Sequence, residues 1–445
     1  VRGLHAFIRR AGYCPANRLH TGEIGAGVLR KKRPDSGGTQ KRRIVKRLKK
    51  IAEAIAERVL MVSGFITSLV IVLIVLFLLR EGARLFGKPD VEEGYVLAVN
   101  RKKPVEKPSP RQIMEIFDGE TTDWKQVGGA EEGIVVFRLN DITDYATEEE
   151  LGPELDSIPQ CLSRILSENS GMIAYVPKQY AADGFTGKRL AEGKITPRSF
   201  FGGREWYPTA QPSPQFGVVP LIMGTLWVSL GAILIALPFG LAVAIYMAEL
   251  AGERIRRALK PAVELLAGIP SVVYGFFGLV VVVPLIQRGF GLPVGETGLA
   301  GSLILAVMAL PTIITVAEDA IRNTPPAMKE SSLALGATHW QTIRRVVLPY
   351  SVSGITAAAV LGIGRAIGET MAVLMVTGNA AVIPHTLLEP MRTIPATIAA
   401  ELGEAPSGGA HYEALFLLGC ILFVLTLAVS LSVEFISARR PKQTI

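Results

Sequence analysis

Residues 59–79 form an unbroken run of 21 residues without a charged side chain. At about 1.5 Å per residue a helix of that length reaches across a hydrocarbon core of roughly 30 Å, satisfying its own backbone where no water is available. Further apolar runs of similar length occupy residues 217–248, 262–287, 297–317, 350–377 and 412–435. The sequence therefore predicts six spans of an α-helical integral membrane protein. Composition points the same way, since only 19% of residues are charged, against about 25% in an average soluble chain. Both observations argue against an ordinary soluble enzyme. The first run is too long for a signal peptide, lies behind a long basic leader and shows no small-residue cleavage site, so it is expected to stay in the protein.

Charge orients these spans. Residues 1–58 carry 16 Lys or Arg against 4 Asp or Glu, whereas residues 81–215 carry 16 against 22. Clusters such as Lys31-Lys32-Arg33 and Lys41-Arg42-Arg43, so close to an apolar run, suit anchoring of the leader against anionic membrane lipid on the cytoplasmic side. Nucleic acid would require a wider basic footprint, and none is expected as a partner. With six spans both termini share one side, and the loops then assigned to the cytoplasm, at 252–257, 322–345 and 438–442, are all basic. Residues 1–40 lack periodicity and are expected to be disordered. Cys14, Cys161 and Cys420 are far apart, so neither a disulfide framework nor a metal cluster is indicated.

The same parity places residues 81–206 outside as one hydrophilic insertion. Tyr95-Val96-Leu97-Ala98-Val99, Ile134-Val135-Val136-Phe137 and Met172-Ile173-Ala174-Tyr175-Val176 read as strands. Residues 109–117 read as a helix capped by Ser109, and the acidic stretch 148–167 as another. A small α/β domain is predicted, followed by a stiff proline-punctuated lead at 207–214.

The most specific motif lies between the fourth and fifth runs: Glu330-Ser331-Ser332, three residues, Gly336, nine residues, then Val346, Val347, Leu348 and Pro349. A short helix over 326–335 bearing small residues lets another protein approach closely, and Gly336 can supply the positive φ that turns the chain. Pro349 is expected to start the next span. The pattern resembles the signature loop of bacterial ABC importer permeases, a likeness that implies a six-helix permease of the MetI-like type. It also implies that loop 320–349 docks into a separate ATPase and transmits its closure. The chain contains no Gly-x-x-x-x-Gly-Lys-Ser/Thr stretch to cradle nucleotide phosphates. No cofactor is expected on this chain, ATP and Mg being used by the partner, and no catalytic site or metal ligand set can be assembled.

A second constellation sits in the fifth run, Gly362-Ile363-Gly364-Arg365-Ala366-Ile367-Gly368-Glu369-Thr370. On a continuous helix Arg365 and Glu369 share a face and can pair. A membrane arginine costs about 2.5–3.5 kcal/mol on insertion scales and usually faces a bundle interior or an aqueous path. Two readings stay open: a structural ion pair, or a cationic fork on a path for a tetrahedral oxyanion. Glycines 362, 364 and 368 would permit close helix approach under either.

These residues, with Leu266-Ala267-Gly268-Ile269-Pro270-Ser271 and Thr393-Ile394-Pro395-Ala396-Thr397, resemble the PstC-type permease of the bacterial high-affinity phosphate importer. The likeness covers most of residues 200–437, within a permease core at 217–437. It implies a substrate pathway through Arg365, Glu369 and Thr370, a PstA-type permease as heterodimer partner, two copies of a PstB-type ATPase, and a phosphate-binding protein. It also implies residence in the bacterial inner membrane.

The insertion departs from that family, although Val136-Phe137-Arg138 and Gly171-Met172-Ile173-Ala174-Tyr175-Val176 resemble one lobe of a phosphate-binding protein. The donors that such proteins place after the arginine are replaced here by Leu139-Asn140-Asp141-Ile142-Thr143-Asp144. The lobe reads as degenerate, with Arg138 either a vestigial anion contact or a surface salt bridge. Glu318 and Asp319 are expected to be solvated helix-end charges, and Trp206, Trp227 and Trp340 to be packing or interface aromatics. An anion-sensing membrane receptor and an importer of molybdate or sulfate remain alternatives.

Overall fold

The computed structural model describes residues 36–101, 108–152, 157–181, 185–190 and 193–438. The basic cluster at 31–33, Cys14 and the tail at 439–442 lie outside the described residues. The first predicted span belongs to one helix, α1 (Ser36–Ala83), which therefore begins inside the stretch expected to be disordered. The chain divides at Ile71 into two compact units, and both the insertion and the permease core lie in the second, Val72–Ile445.

The insertion is a sheet with a helix on each face. Its strands are β1 (Tyr95–Val99), β2 (Val135–Arg138), β3 (Met172–Pro177) and β4 (Lys188–Arg189), in spatial order β2-β3-β1-β4. β1 pairs antiparallel with β3 and β4, while β2 pairs parallel with β3. A parallel pair needs a crossover, and α3 (Ile158–Glu168) supplies it. Alternation sorts the side chains: Val96, Ala98, Ala174 and Val176 meet Leu162 and Ile165 of α3, whereas Leu97, Val99 and Ile173 meet Ile113 and Ile116 of α2 (Pro110–Phe117). With both faces covered, the strands read as continuous apolar runs. Ser109 caps α2 as expected, accepting from the Gln112 amide. The single helix expected over 148–167 is instead a turn, Glu148–Leu151, and then α3. Gly152 takes φ 78° after the turn and Pro159 opens the new helix.

The lead at 207–214 is no free spacer. After α4 (Pro197–Gly202), β5 (Trp206–Tyr207) and β6 (Gln215–Phe216) close a hairpin around it, and Ser213 Oγ donates to Asp90 O at 2.6 Å. A Cβ on Gly217 would lie 2.4 Å from the Gly203 carbonyl carbon, so these backbones touch. Phe200, Trp206 and Phe216 share one core with Leu221, Ile394, Ala414 and Leu415, which fuses the base of the insertion to the permease.

From Val219 the permease is helical: α5 (Val219–Ile245), α6 (Glu253–Gly268), α7 (Ser271–Phe290), α8 (Gly298–Arg322), α9 (Pro326–Ala334), α10 (His339–Tyr350), α11 (Val352–Gly368), α12 (Met371–Val376), α13 (Ile394–Glu401) and α14 (Ala410–Ala438). Among the described residues five helices are long and apolar enough to cross a membrane, or six if α10 and α11, bent by 70°, count as one passage. Two predicted spans are broken. The run at 262–287 splits at Ile269–Pro270, because the proline ring drives the preceding residue out of helical geometry, and Ile269 is extended at ψ 129°. The run at 350–377 splits at Glu369, extended at ψ 134°, after Gly368 ends α11.

Small residues set the helix spacing. A Cβ on Gly231 of α5 would lie 2.4 Å from Ser302 Oγ of α8, and one on Gly362 of α11 would lie 2.7 Å from Ile313 of α8. Among the described residues Gly364 and Gly368 have nothing within 4 Å of such an atom, so of the three it is Gly362 that serves close approach there. Gly362→Val is expected to overpack the contact by about 1–3 kcal/mol and lower the unfolding midpoint of the detergent-purified chain. Gly364→Ala should leave it unchanged or raise it, alanine being favoured by about 0.8–1 kcal/mol inside a helix.

The base of the insertion is polar at its centre. The Glu401 carboxylate accepts from Trp206 Nε1 at 3.0 Å and Arg392 Nη1 at 2.6 Å, and lies 2.9 Å from His411 Nε2. Burial alone would raise this carboxyl, but the hydrogen bonds from His411 and Trp206 and the Arg392 charge outweigh it and hold the group below its ordinary 4.5. A depressed carboxyl stabilises the fold above the unfolded value, and that contribution disappears as pH falls through the folded one. Hydrogen exchange in the Trp206–Phe216 hairpin is therefore expected to be flat from pH 7 to 5 after correction for intrinsic rates and to rise below about pH 4.5. Glu401→Gln should flatten that acid response.

Candidate functional site

The predicted coupling loop is a helical hairpin. α9 opens with Pro326, whose missing N–H costs nothing at a helix start. Gly336 takes φ +83° as expected and turns the chain. Thr338 then caps α10, its Oγ1 accepting from the Gln341 amide at 3.3 Å while Gln341 Oε1 accepts from the Thr338 amide at 2.9 Å. Ser332 Oγ lies 2.9 Å from Thr342 Oγ1 and joins the arms, whereas Ser331 Oγ donates back to Ala327 O. Glu330 is exposed, Leu335 is 89% exposed and Trp340 58%. The tip thus presents an acidic group beside bare apolar side chains. Val346 and Leu348 are half-buried at the other end, and Pro349 is exposed. Pro349 does not begin the span: it stands in the last turn of α10, and α11 begins at Val352 beyond the bend.

A residue that sequence spacing did not single out holds this hairpin. Glu249, in the wide turn Tyr246–Leu250 after α5, takes the Lys329 ammonium of α9 at 2.5 Å on a side chain only 6% exposed. Its carbonyl oxygen lies 3.2 Å from His339 Nε2 of α10. One residue therefore grips both arms around Gly336. Glu318 corrects another expectation, being 1% exposed rather than solvated, with Lys260 Nζ at 3.5 Å and Arg322 Nη1 at 3.6 Å. α6 folds back over the end of α8 and brings Lys260 to it. A carboxylate so buried needs those cations. Asp319 stays exposed, 3.8 Å from Lys260.

Arg365 and Glu369 are not brought together. The i,i+4 relation requires a continuous helix, and α11 ends between them at Gly368. Arg365 is exposed and shares a stripe with Ala357, Leu361 and Gly368, while Ala366, on the opposite side, packs into the core with Tyr274 and Ala372. Thr370 borders a hollow of about 470 Å³ walled by Gly368, Pro395, Ile398 and Leu402. The site is thus an open helix face bearing one guanidinium, next to a helix break and a largely apolar hollow.

In the insertion, Arg138 donates from Nη2 to Phe117 O at 3.3 Å and stacks over the Phe117 ring, 5.6 Å from its centroid. It makes no salt bridge among the described residues, contrary to the surface ion pair considered from sequence. Asp141 Oδ2 accepts from the Arg138 amide, which ties down the loop where a binding lobe would offer donors. Trp206 and Trp227 pack inside, while Trp340 stands exposed on the loop. Among the described residues no group of three potential ligands could hold a metal ion.

Residues 236–442 match the family described as binding-protein-dependent transport system inner membrane component, and residues 81–213 match a PBP superfamily domain. A probable ABC transporter permease protein of Bacillus subtilis is 40% identical over 55% of this chain and 79% of its own length. The phosphate transport system permease protein PstC of Mesorhizobium japonicum is 41% identical over 52% of this chain and 75% of its own. A chain of an inward-facing MetNI methionine ABC transporter aligns over 49% of this chain and 95% of its own, at 20% identity and a TM-score of 0.39. The fold and its signature loop are those of an integral membrane permease subunit. Within that class, this chain belongs to the family of PstC-type permeases of binding-protein-dependent transport systems.

The grip of Glu249 can be tested directly. Lys329→Ala is expected to cost about 1–3 kcal/mol locally, less than a fully buried pair because Lys329 keeps solvent contact, and to raise hydrogen exchange across residues 326–342. Glu249→Lys should do the same, and combining it with Lys329→Glu should restore most of the protection.

Proposed function

We propose that this chain forms one half of the translocation path of an ATP-driven phosphate importer in the bacterial inner membrane. The observation that carries the reading is Arg365 on the open face of α11, in a chain 41% identical to a phosphate permease. A guanidinium with no carboxylate partner among the described residues suits a tetrahedral oxyanion, to which it offers paired planar donors. The stripe around it fits a second permease, of PstA type, whose facing helix would complete the path. Glu369 and Thr370, at the helix break, supply the next polar groups along it.

The hairpin α9–α10 faces the cytoplasm in this reading, as do both termini, and the insertion lies outside. The hairpin's exposed Leu335 and Trp340 enter a groove on a separate PstB-type ATPase, one of two copies, where ATP and Mg are bound and hydrolysed. Closure of the ATPases pushes the hairpin, and through Glu249 and the α10–α11 bend moves α5 and α11, changing the side to which Arg365 is open. The chain itself performs no chemistry. Arg138 gives one donor to Phe117 O, and Asp141 ties down the loop that would offer further donors, which favours an insertion that docks a phosphate-binding protein over one that captures anion alone.

The test is uptake into vesicles holding the full complex, with phosphate, sulfate and molybdate compared. Phosphate should be imported preferentially. Arg365→Ala should reduce uptake by roughly tenfold or more, as removal of a charged donor to the anion implies, with assembly intact. Unchanged uptake would remove Arg365 from the path, and preference for another oxyanion would reassign the cargo.

A further inference from the structure

Trp206, the first residue of β5, reaches a residue whose helix walls the hollow. Trp206 is 1% exposed and packs edge-on against Phe216, with ring centroids 5.9 Å apart, so its indole has one fixed direction. That direction places Nε1–H on Glu401 Oε2 at 3.0 Å. Glu401 is the final residue of α13, and its other contacts come from Arg392, just before α13, and from His411 in the first turn of α14. One carboxylate therefore joins the insertion, the loop entering α13 and the start of α14.

α13 has eight residues. While Glu401 is held at its end, Pro395, Ile398 and Ala399 on its side line the hollow beside Gly368 and Thr370. Leu221, Ile394 and Ala414 share the apolar core with Trp206, so a shift of the hairpin is passed on by close packing as well as by the hydrogen bond. A largely buried carboxylate held by three partners is costly to separate from any one of them.

From this we infer that the insertion is an outer lever on α13. Load applied to the lobe by a docked, substrate-loaded binding protein passes through Trp206 to Glu401 and moves the wall of the hollow against α12 and the end of α11. The inference rests on the transport reading and assigns a task to the segment that sets this chain apart from plain permeases. Trp206 and Glu401 are positioning residues in it, and neither is required to touch the cargo.

The experiment uses the complete complex in vesicles, with phosphate-loaded binding protein outside, and reads basal ATPase activity, its stimulation by binding protein, and phosphate uptake. Trp206→Phe keeps an aromatic ring in the core but removes the donor. Basal ATPase activity should stay at the parental level, while stimulation and uptake fall by roughly tenfold or more, as expected for loss of one charge-assisted hydrogen bond in a coupling step. Glu401→Gln should give a similar loss, and the double variant should be no worse than the weaker single. Parental stimulation in Trp206→Phe, or losses that multiply in the double variant, would overturn the lever. If Trp206→Phe does not assemble, Glu401→Gln decides on the same readout, parental stimulation again overturning it. Failure of the unmodified complex to import any oxyanion would instead bring down the transport reading and the lever with it.

Discussion

The close approach of α5, α8 and α11 is the constraint from which the rest of the permease follows. In a bilayer, helix association gains little from the hydrophobic effect and depends on fit. Gly231 and Gly362 let the Ser302 and Ile313 side chains of α8 lie against the backbones of α5 and α11, closer than a Cβ there would allow without a shift. Once α8 is enclosed, one side of α11 is committed to it. The opposite side, carrying Leu361 and Arg365, is thereby left for whatever lies beyond this chain. Packing inside the subunit decides which residues its partner can meet.

Two polar anchors then tie the ends of this bundle to the α9–α10 hairpin and to the insertion. At one end Glu249 holds both arms of the α9–α10 hairpin. At the other, Glu401 gathers Trp206, Arg392 and His411 beneath the insertion. In each case a buried carboxylate is useful because breaking any single partner is expensive, so displacement of one element carries the others with it. The insertion obeys different rules, those of a sheet with helices on both faces in water, and only its base adopts the packing of the permease.

Much of this was legible in the residue order, for a reason of scale. A run long enough to cross a bilayer, a strand with both faces covered and a glycine at a turn are local patterns, and residues 217–248, Tyr95-Val96-Leu97-Ala98-Val99 and Gly336 behave as read. Direction was not legible from apolarity alone. The runs at 262–287 and 350–377 look continuous because hydropathy ignores the backbone, although Pro270 and Gly368 carried the sign of the breaks. The Arg365–Glu369 pair failed with the second of them. Burial of Glu318 depends on α6 folding back with Lys260, and Glu249 and Glu401 reach partners as far as 90 and 195 residues away. No local periodicity encodes such meetings.

The interruption between α11 and α12 carries a cost that hydrocarbon cannot absorb. Where a helix stops, its final carbonyls lose their intrachain donors, and the amides opening the next segment lose their acceptors. Lipid tails offer neither. The gap at Glu369 and Thr370 must therefore be wetted or sealed by protein throughout its working life. That requirement is set by the chain's own geometry before any solute arrives.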